Sequence, residues 1–323
     1  MALPSAPRSF LVVRDPLAPP IGLKGAVAAL GNFDGLHRGH RGVVARAQAL
    51  ARQMGKPCCV VTFEPHPADF FAGRPVIFRL TPPEAKAALL ARLGLDGMVV
   101  FSFNETFAAL SARQFVEEAL ARRLGVSAIV AGYDFRFGAR REGDADFLRA
   151  EGARLGLRVE IVERIVQDEA GSLAAVSSTA TREALERGDV ALAQKLLGHP
   201  YFVEGPVLHG DKRGRNLGFP TANIALDPSS RLRHGVYAVT LEARGAVYGG
   251  VASFGRRPTF DDGAPLLEVH AFDFSGDLYG ETVEVTFHGF LRGEAKFQSV
   301  DALVAQMHRD AAQAKEILRR RPA

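Results

Sequence analysis

The chain has 323 residues, 47% apolar and 24% charged, enough for two filled cores and ordinary for a soluble globular protein. Its formal charge of +4 sits on dispersed basic residues with no aromatic-interleaved stripe, which excludes an evident nucleic-acid surface. No apolar run approaches the length of a membrane span, and Arg8, Arg14 and several prolines interrupt any signal-peptide core, so neither membrane nor export is expected.

In chain order, apolar runs predict strands over 26–30, 58–63, 97–103, 128–132 and 157–162. Helical periodicity predicts helices over 39–53, 82–93, 112–124 and 145–155. Thr81 and Ser111 stand where N-caps belong, each three residues before Glu84 or Gln114. Such alternation predicts an α/β domain with a parallel sheet covered on both faces. Cys58 and Cys59 are expected to be reduced core residues of a cytoplasmic protein. A helical stretch over 179–197 follows, and the organisation then changes. Short alternating runs over 205–208, 235–241, 247–253, 266–274 and 281–291 predict a small antiparallel β-barrel. A C-terminal helix over 300–320 is expected to cover one side or an open edge of it.

The segment Gly31-Asn32-Phe33-Asp34-Gly35-Leu36-His37-Arg38-Gly39-His40 joins the first strand to the first helix. A helix N-terminus offers unpaired N–H groups and partial positive charge, a setting for phosphate. His37 and His40, three apart, are expected to point the same way in the first turn. Neither GxxxxGK[ST] nor GxGxxG occurs, and no Cys or His cluster lies nearby to complete a zinc set. The segment resembles the HxGH signature of the nucleotidyltransferase superfamily, which transfers AMP from ATP and expels pyrophosphate.

Three further segments follow. Thr62-Phe63-Glu64-Pro65-His66-Pro67 and Gly132-Tyr133-Asp134-Phe135-Arg136-Phe137-Gly138 end strands at the edge where open α/β sheets place ligands. Ser177-Ser178-Thr179 reads as an N-cap cluster with Arg182 in the first turn, a phosphate clamp or a plain cap. Together the four segments resemble the adenylyltransferase half of the bacterial bifunctional riboflavin kinase/FMN adenylyltransferases. The resemblance implies ATP binding by Gly31, Asn32, Phe33, His37, His40, Ser178, Thr179 and Arg182, with catalysis by His37, His40 and Arg182. It implies flavin binding by Phe63, His66 and Asp134. Thr181 departs from the family's Ile or Val, so altered packing of that helix is expected.

The basic glycine-rich run from Gly210 to Asn223 can wrap phosphates, or serve only as a hairpin connection. If extended, Thr221 and Asn223 put two neutral oxygens on one face, suited to magnesium held mainly by nucleotide phosphates. The run resembles the riboflavin kinase signature GDxRGRxLGFPTAN. That likeness implies nucleotide binding by Gly210, Lys212, Gly214, Thr221 and Asn223, with Mg2+ at Thr221 and Asn223. It further implies Glu268 as general base, and Glu268 and Arg292 as flavin contacts. Ser253-Phe254 stands where an Asn-Ile pair is common.

The implied layout is a Rossmann-like FMN adenylyltransferase domain over 1–187 and a riboflavin kinase barrel over 188–323. The implied reactions are riboflavin to FMN with ATP, then FMN to FAD with a second ATP. Two other readings stay open on the sequence: a chain in which only the kinase half works, and a flavin- or nucleotide-binding regulator without turnover. Glu268 argues against the regulator, since binding alone needs no base. The expected partners are riboflavin, FMN and ATP, not nucleic acid or membrane. Nothing selects between monomer and homo-oligomer.

Overall fold

Helices between the apolar runs of the first half carry the chain back, so successive strands meet in parallel. A computed structural model of the protein describes residues 10–163, 176–209, 218–256 and 265–320. By packing, Met1–Ile77 with Thr81–Val176 form one unit, and Phe78–Leu80 with Ser177–Ala323 form a second.

The sheet of the first unit contains Leu11–Arg14 (β1), Val27–Leu30 (β2), Cys58–Glu64 (β3), Gly97–Ser102 (β4), Ala128–Gly132 (β5) and Arg158–Val162 (β6). All neighbours pair in parallel, in the order β1-β4-β3-β2-β5-β6. Almost every residue of β2 to β5 is buried, as expected of a sheet covered on both faces. The chain steps outward from β2 through β3 to β4, then returns to place β5 on the other side of β2. That reversal is where open α/β sheets bind ligands, beyond the carboxyl ends of the strands. Helix α1 (Arg38–Met54) leaves this point and packs on β2 and β5 through Val43, Val44, Ala47, Leu50 and Ala51.

Several local expectations differ from the fold. β1 lies between prolines and is too short to show a period, yet it forms the edge beside β4. Short helices Pro67–Ala72 (α2) and Glu105–Ala108 (α4) occupy stretches with no sequence expectation, either side of Pro83–Arg92 (α3). Thr81 is not an N-cap: α3 starts after Pro82, with no side-chain cap. Ser111 does cap, through a reciprocal box with Gln114, opening a short α-helix (α5, Ala112–Gln114) that continues as a π-helix over Phe115–Leu124. Ala145–Arg154 (α6) follows, capped by Asp144. The helical stretch over 179–197 is two helices, Ser178–Glu186 (α7) and Val190–Leu197 (α8). They are separated at Gly188, whose φ of 78° an L side chain rarely adopts. The two cysteines are buried and unbridged, and burial pushes the Cys58 thiol up to about 12.

In the second unit six antiparallel strands close into a barrel. They are Phe202–Leu208 (β7), Ala222–Ala225 (β8), Gly235–Ala243 (β9), Ala246–Arg256 (β10), Pro265–Ala271 (β11) and Thr282–Arg292 (β12), in the order β10-β11-β8-β7-β12-β9. Ile224, Tyr237, Val239, Phe254, Leu267 and Phe287 are among its buried core side chains. Closure leaves no free edge, so the C-terminal helix Val300–Arg319 (α9) packs instead on the wall formed by β9, β10 and β12. Among the described residues no helix is long and apolar enough to cross a membrane.

Candidate active sites

The turn after β2 is conformationally costly. Phe33, Gly35 and Leu36 all have positive φ, of 50°, 81° and 43°. For the two non-glycine residues this costs roughly 1–2 kcal/mol each. Phe33 is 1% exposed and Leu36 0%, and burying such side chains contributes about 1.5–3 kcal/mol each, more than the strain. Asp34, itself buried, accepts from the Thr81 N–H at 2.9 Å, and the Thr81 hydroxyl accepts from the Gly35 N–H at 2.9 Å. The turn is therefore held by apolar burial from below and by a polar clasp 46 residues away in sequence.

This hold places the two histidines. His37 is not inside the helix but caps it, its Nδ1 accepting from the His40 N–H at 3.3 Å. The rings stack at 3.7 Å between centroids and 18° between planes. They do face the same way, through capping plus stacking. Because Nδ1 accepts, a neutral His37 carries its proton on Nε2 and presents a donor there. A Cβ on Gly39 would lie 3.1 Å from the His37 ring, so glycine is what lets that ring sit flat against the backbone.

Around this turn, Thr62 donates to the Asn32 carbonyl at 3.1 Å, and the Asn32 amide meets His66 Nε2 at 3.3 Å. His66 caps α2 by accepting from the Ala68 N–H. Beneath them Lys86 is 1% exposed, its ammonium 3.2 Å from Glu64 and 3.3 Å from the Thr62 hydroxyl. Lys86 was missed by sequence reasoning, although a charge on the same helical face as Leu89 and Leu90 was the available signal. Phe63 packs in the core against Phe103, Phe107 and Phe115, which leaves His66 and Asp134 as the more open members of the expected flavin set. Asp134 is exposed just beyond β5, the neighbour of β2.

Ser178, Thr179 and Arg182 belong to the second unit. Ser177, not Ser178, is the cap, accepting from the Ala180 N–H, and Arg182 falls in the second turn of α7 with its Nε donating to the Phe78 carbonyl at 2.8 Å. Thr181 is fully buried, and its hydroxyl donates to the Ser177 carbonyl at 3.0 Å. A hydroxyl in place of a hydrocarbon is thus satisfied within its own helix.

In the barrel, Glu268 and Asn223 are direct partners across the β11–β8 ladder, and Ser253 is the partner of Glu268 on the other side. Directly opposed residues share a face. The position that departs from the family's Asn therefore stands in the same row as the expected base, while Phe254 points into the core. Asn223 is buried on that face, and Thr221, half-buried, immediately precedes β8. Arg292 lies at the far end of β12, its guanidinium gripping the buried Asp310 of α9 at 2.8–3.1 Å and its Nη1 donating to the Gly293 carbonyl. Gly210, Lys212 and Gly214 lie outside the described residues. Among the described residues no group of three or more His, Cys, Asp or Glu could hold a metal ion.

The open parallel sheet followed by a closed six-stranded barrel is the architecture of a two-domain transferase acting on phosphates. Residues 21–180 match the family model for FAD synthetase and residues 197–318 that for riboflavin kinase. The chain is 42% identical over 91% of its length to a bifunctional riboflavin kinase/FMN adenylyltransferase from Pseudomonas fluorescens, covering 93% of that protein. It is 41% identical over 91% of its length to the same-named protein of Escherichia coli K12, covering 93% of it. A crystal structure of a macrolide-efflux protein from Streptococcus pneumoniae superposes with a TM-score of 0.80 at 34% identity, covering 95% of this chain and 99% of that one. This chain belongs to the family of bifunctional riboflavin kinase/FMN adenylyltransferases.

Proposed function

We propose that the barrel phosphorylates riboflavin to FMN with ATP and that the α/β unit then joins FMN to AMP from a second ATP, releasing pyrophosphate and FAD. Family membership supports both steps. The observation that carries the residue-level reading is the ladder pairing of Glu268 with Asn223. In the kinase step Glu268 accepts the proton of the ribityl 5′-hydroxyl as that oxygen attacks the γ-phosphate, a transfer worth about 10²–10⁴ in rate. Thr221 and Asn223 hold Mg-ATP; their neutral oxygens suit a magnesium ion bound chiefly by phosphates. When bound, that ion neutralises phosphate charge. Gly210, Lys212 and Gly214 complete the nucleotide contacts. The resemblance assigns Arg292 to the flavin, and its bonds to Asp310 and the Gly293 carbonyl hold it at the start of the loop after β12.

In the adenylyl step the FMN phosphate attacks the α-phosphate of ATP. Gly31, Asn32 and Phe33 supply the turn, and His37 and His40 stabilise charge on the leaving phosphates. The resemblance assigns Ser178, Thr179 and Arg182 to ATP binding, and Phe63, His66 and Asp134 to flavin binding. The domains assigned to these steps span 1–187 and 188–323, and the protein works in the cytoplasm on small molecules. Purified protein given riboflavin, ATP and magnesium should release FMN first and FAD later by chromatography; ATP consumption without either flavin product would contradict the proposal.

A further inference from the structure

Beyond these assignments, we infer that His270 is a positioning residue of the kinase half, holding the segment that carries Thr221 in the orientation Mg-ATP requires. The β8–β11 ladder runs from Ala225 to Ala222, whose partner is Val269. Towards the amino end the backbone cannot continue it through Pro220, which has no N–H to give. A β11 side chain takes over at that point: His270 Nδ1 lies 2.9 Å from the Pro220 carbonyl oxygen. A carbonyl only accepts, so Nδ1 is the donor, whether the ring is neutral or charged. Fixing that carbonyl fixes the peptide plane shared with Thr221, and so the direction in which β8 begins.

The ring also packs on Phe219, with centroids 5.0 Å apart, and His308 of α9 closes on Phe219 from another side at 5.1 Å. Phe219 is 7% exposed, so this three-ring clasp is a built feature and not a loose contact. Glu268 and His270 are two apart on β11 and share a face. One strand thus bears both the proposed base and the pin for the proposed nucleotide segment. The inference rests on Thr221 and Asn223 being Mg-ATP contacts, and the test separates the two.

His270→Phe keeps an aromatic ring and removes the donor, whereas His270→Asn keeps an N–H at about the Nδ1 position. Losing one partly exposed hydrogen bond predicts a rise of about fivefold in the KM for Mg-ATP in FMN formation, with kcat little changed. His270→Asn should restore the wild-type KM, and FAD formation from supplied FMN should be unaffected in both. Peptide-resolved hydrogen exchange without nucleotide should show faster exchange over 218–224 in His270→Phe only. An unchanged KM and unchanged exchange in His270→Phe, or a His270→Asn variant as impaired as His270→Phe, would overturn the inference. Thr221→Ala is run in parallel. If it leaves the Mg-ATP KM unchanged, the nucleotide assignment fails, and exchange over 218–224 alone decides whether His270 holds the segment.

Discussion

The two sites are held in opposite ways. The β2–α1 turn is strained backbone kept in place by what is packed beneath and clasped beside it: Phe33, Leu36, and the Asp34–Thr81 pair. The barrel row of Asn223, Glu268 and Ser253 follows from ladder register, which a closed barrel fixes at every strand. A site built on strain should fail when a supporting residue is changed at a distance. A site built on register should fail only when a reacting or pinning group is removed.

The largest expected effect is at the base. Glu268→Ala should lower kcat for FMN formation by about 10²–10⁴ while leaving the melting temperature near that of the wild type, since the side chain is only half-buried. Next, His37→Ala/His40→Ala should lower FAD formation from FMN by about 10²–10³ with FMN formation unchanged; a matching loss of both products would mean the histidines hold up the fold and not the reaction. Thr81→Val then tests the remote clasp. It removes the buried hydroxyl that accepts from the Gly35 N–H and should cost about 1–3 kcal/mol of stability in denaturant titration, with FAD formation impaired and FMN formation spared. A wild-type denaturation midpoint and FAD rate would show that the turn needs no such support. The smallest effect is expected for Thr181→Val, which restores a family-like side chain; because the hydroxyl is already satisfied by Ser177, stability should shift by under about 1 kcal/mol. A larger shift in the unfolding midpoint would mean that the hydroxyl does more than satisfy itself.

The same contrast explains what could be read from the chain. Strands β2 to β6, the barrel and both motif sets were legible because apolar runs and local turn residues encode them. Thr81 was misread because a Thr three residues before a Glu is a local capping signal, whereas its actual partners, Asp34 and Gly35, are distant in sequence. β1 and β8 have four residues each and lie beside prolines, too short for a period to show. Gly188 broke a helix whose apolar spacing continues across it. The Arg292–Asp310 grip and the Lys86–Glu64 pair are tertiary ion pairs, and nothing in local spacing announces the partner.

If two separate sites in one chain stabilise charge on different phosphates of ATP, a crossover assay separates them. The wild type, Glu268→Ala and His37→Ala/His40→Ala are each assayed twice, for FMN from riboflavin and for FAD from FMN. Glu268→Ala should lose FMN formation and keep FAD formation at the wild-type rate, and His37→Ala/His40→Ala the reverse. A single variant that abolishes both products while the chain remains folded would contradict it.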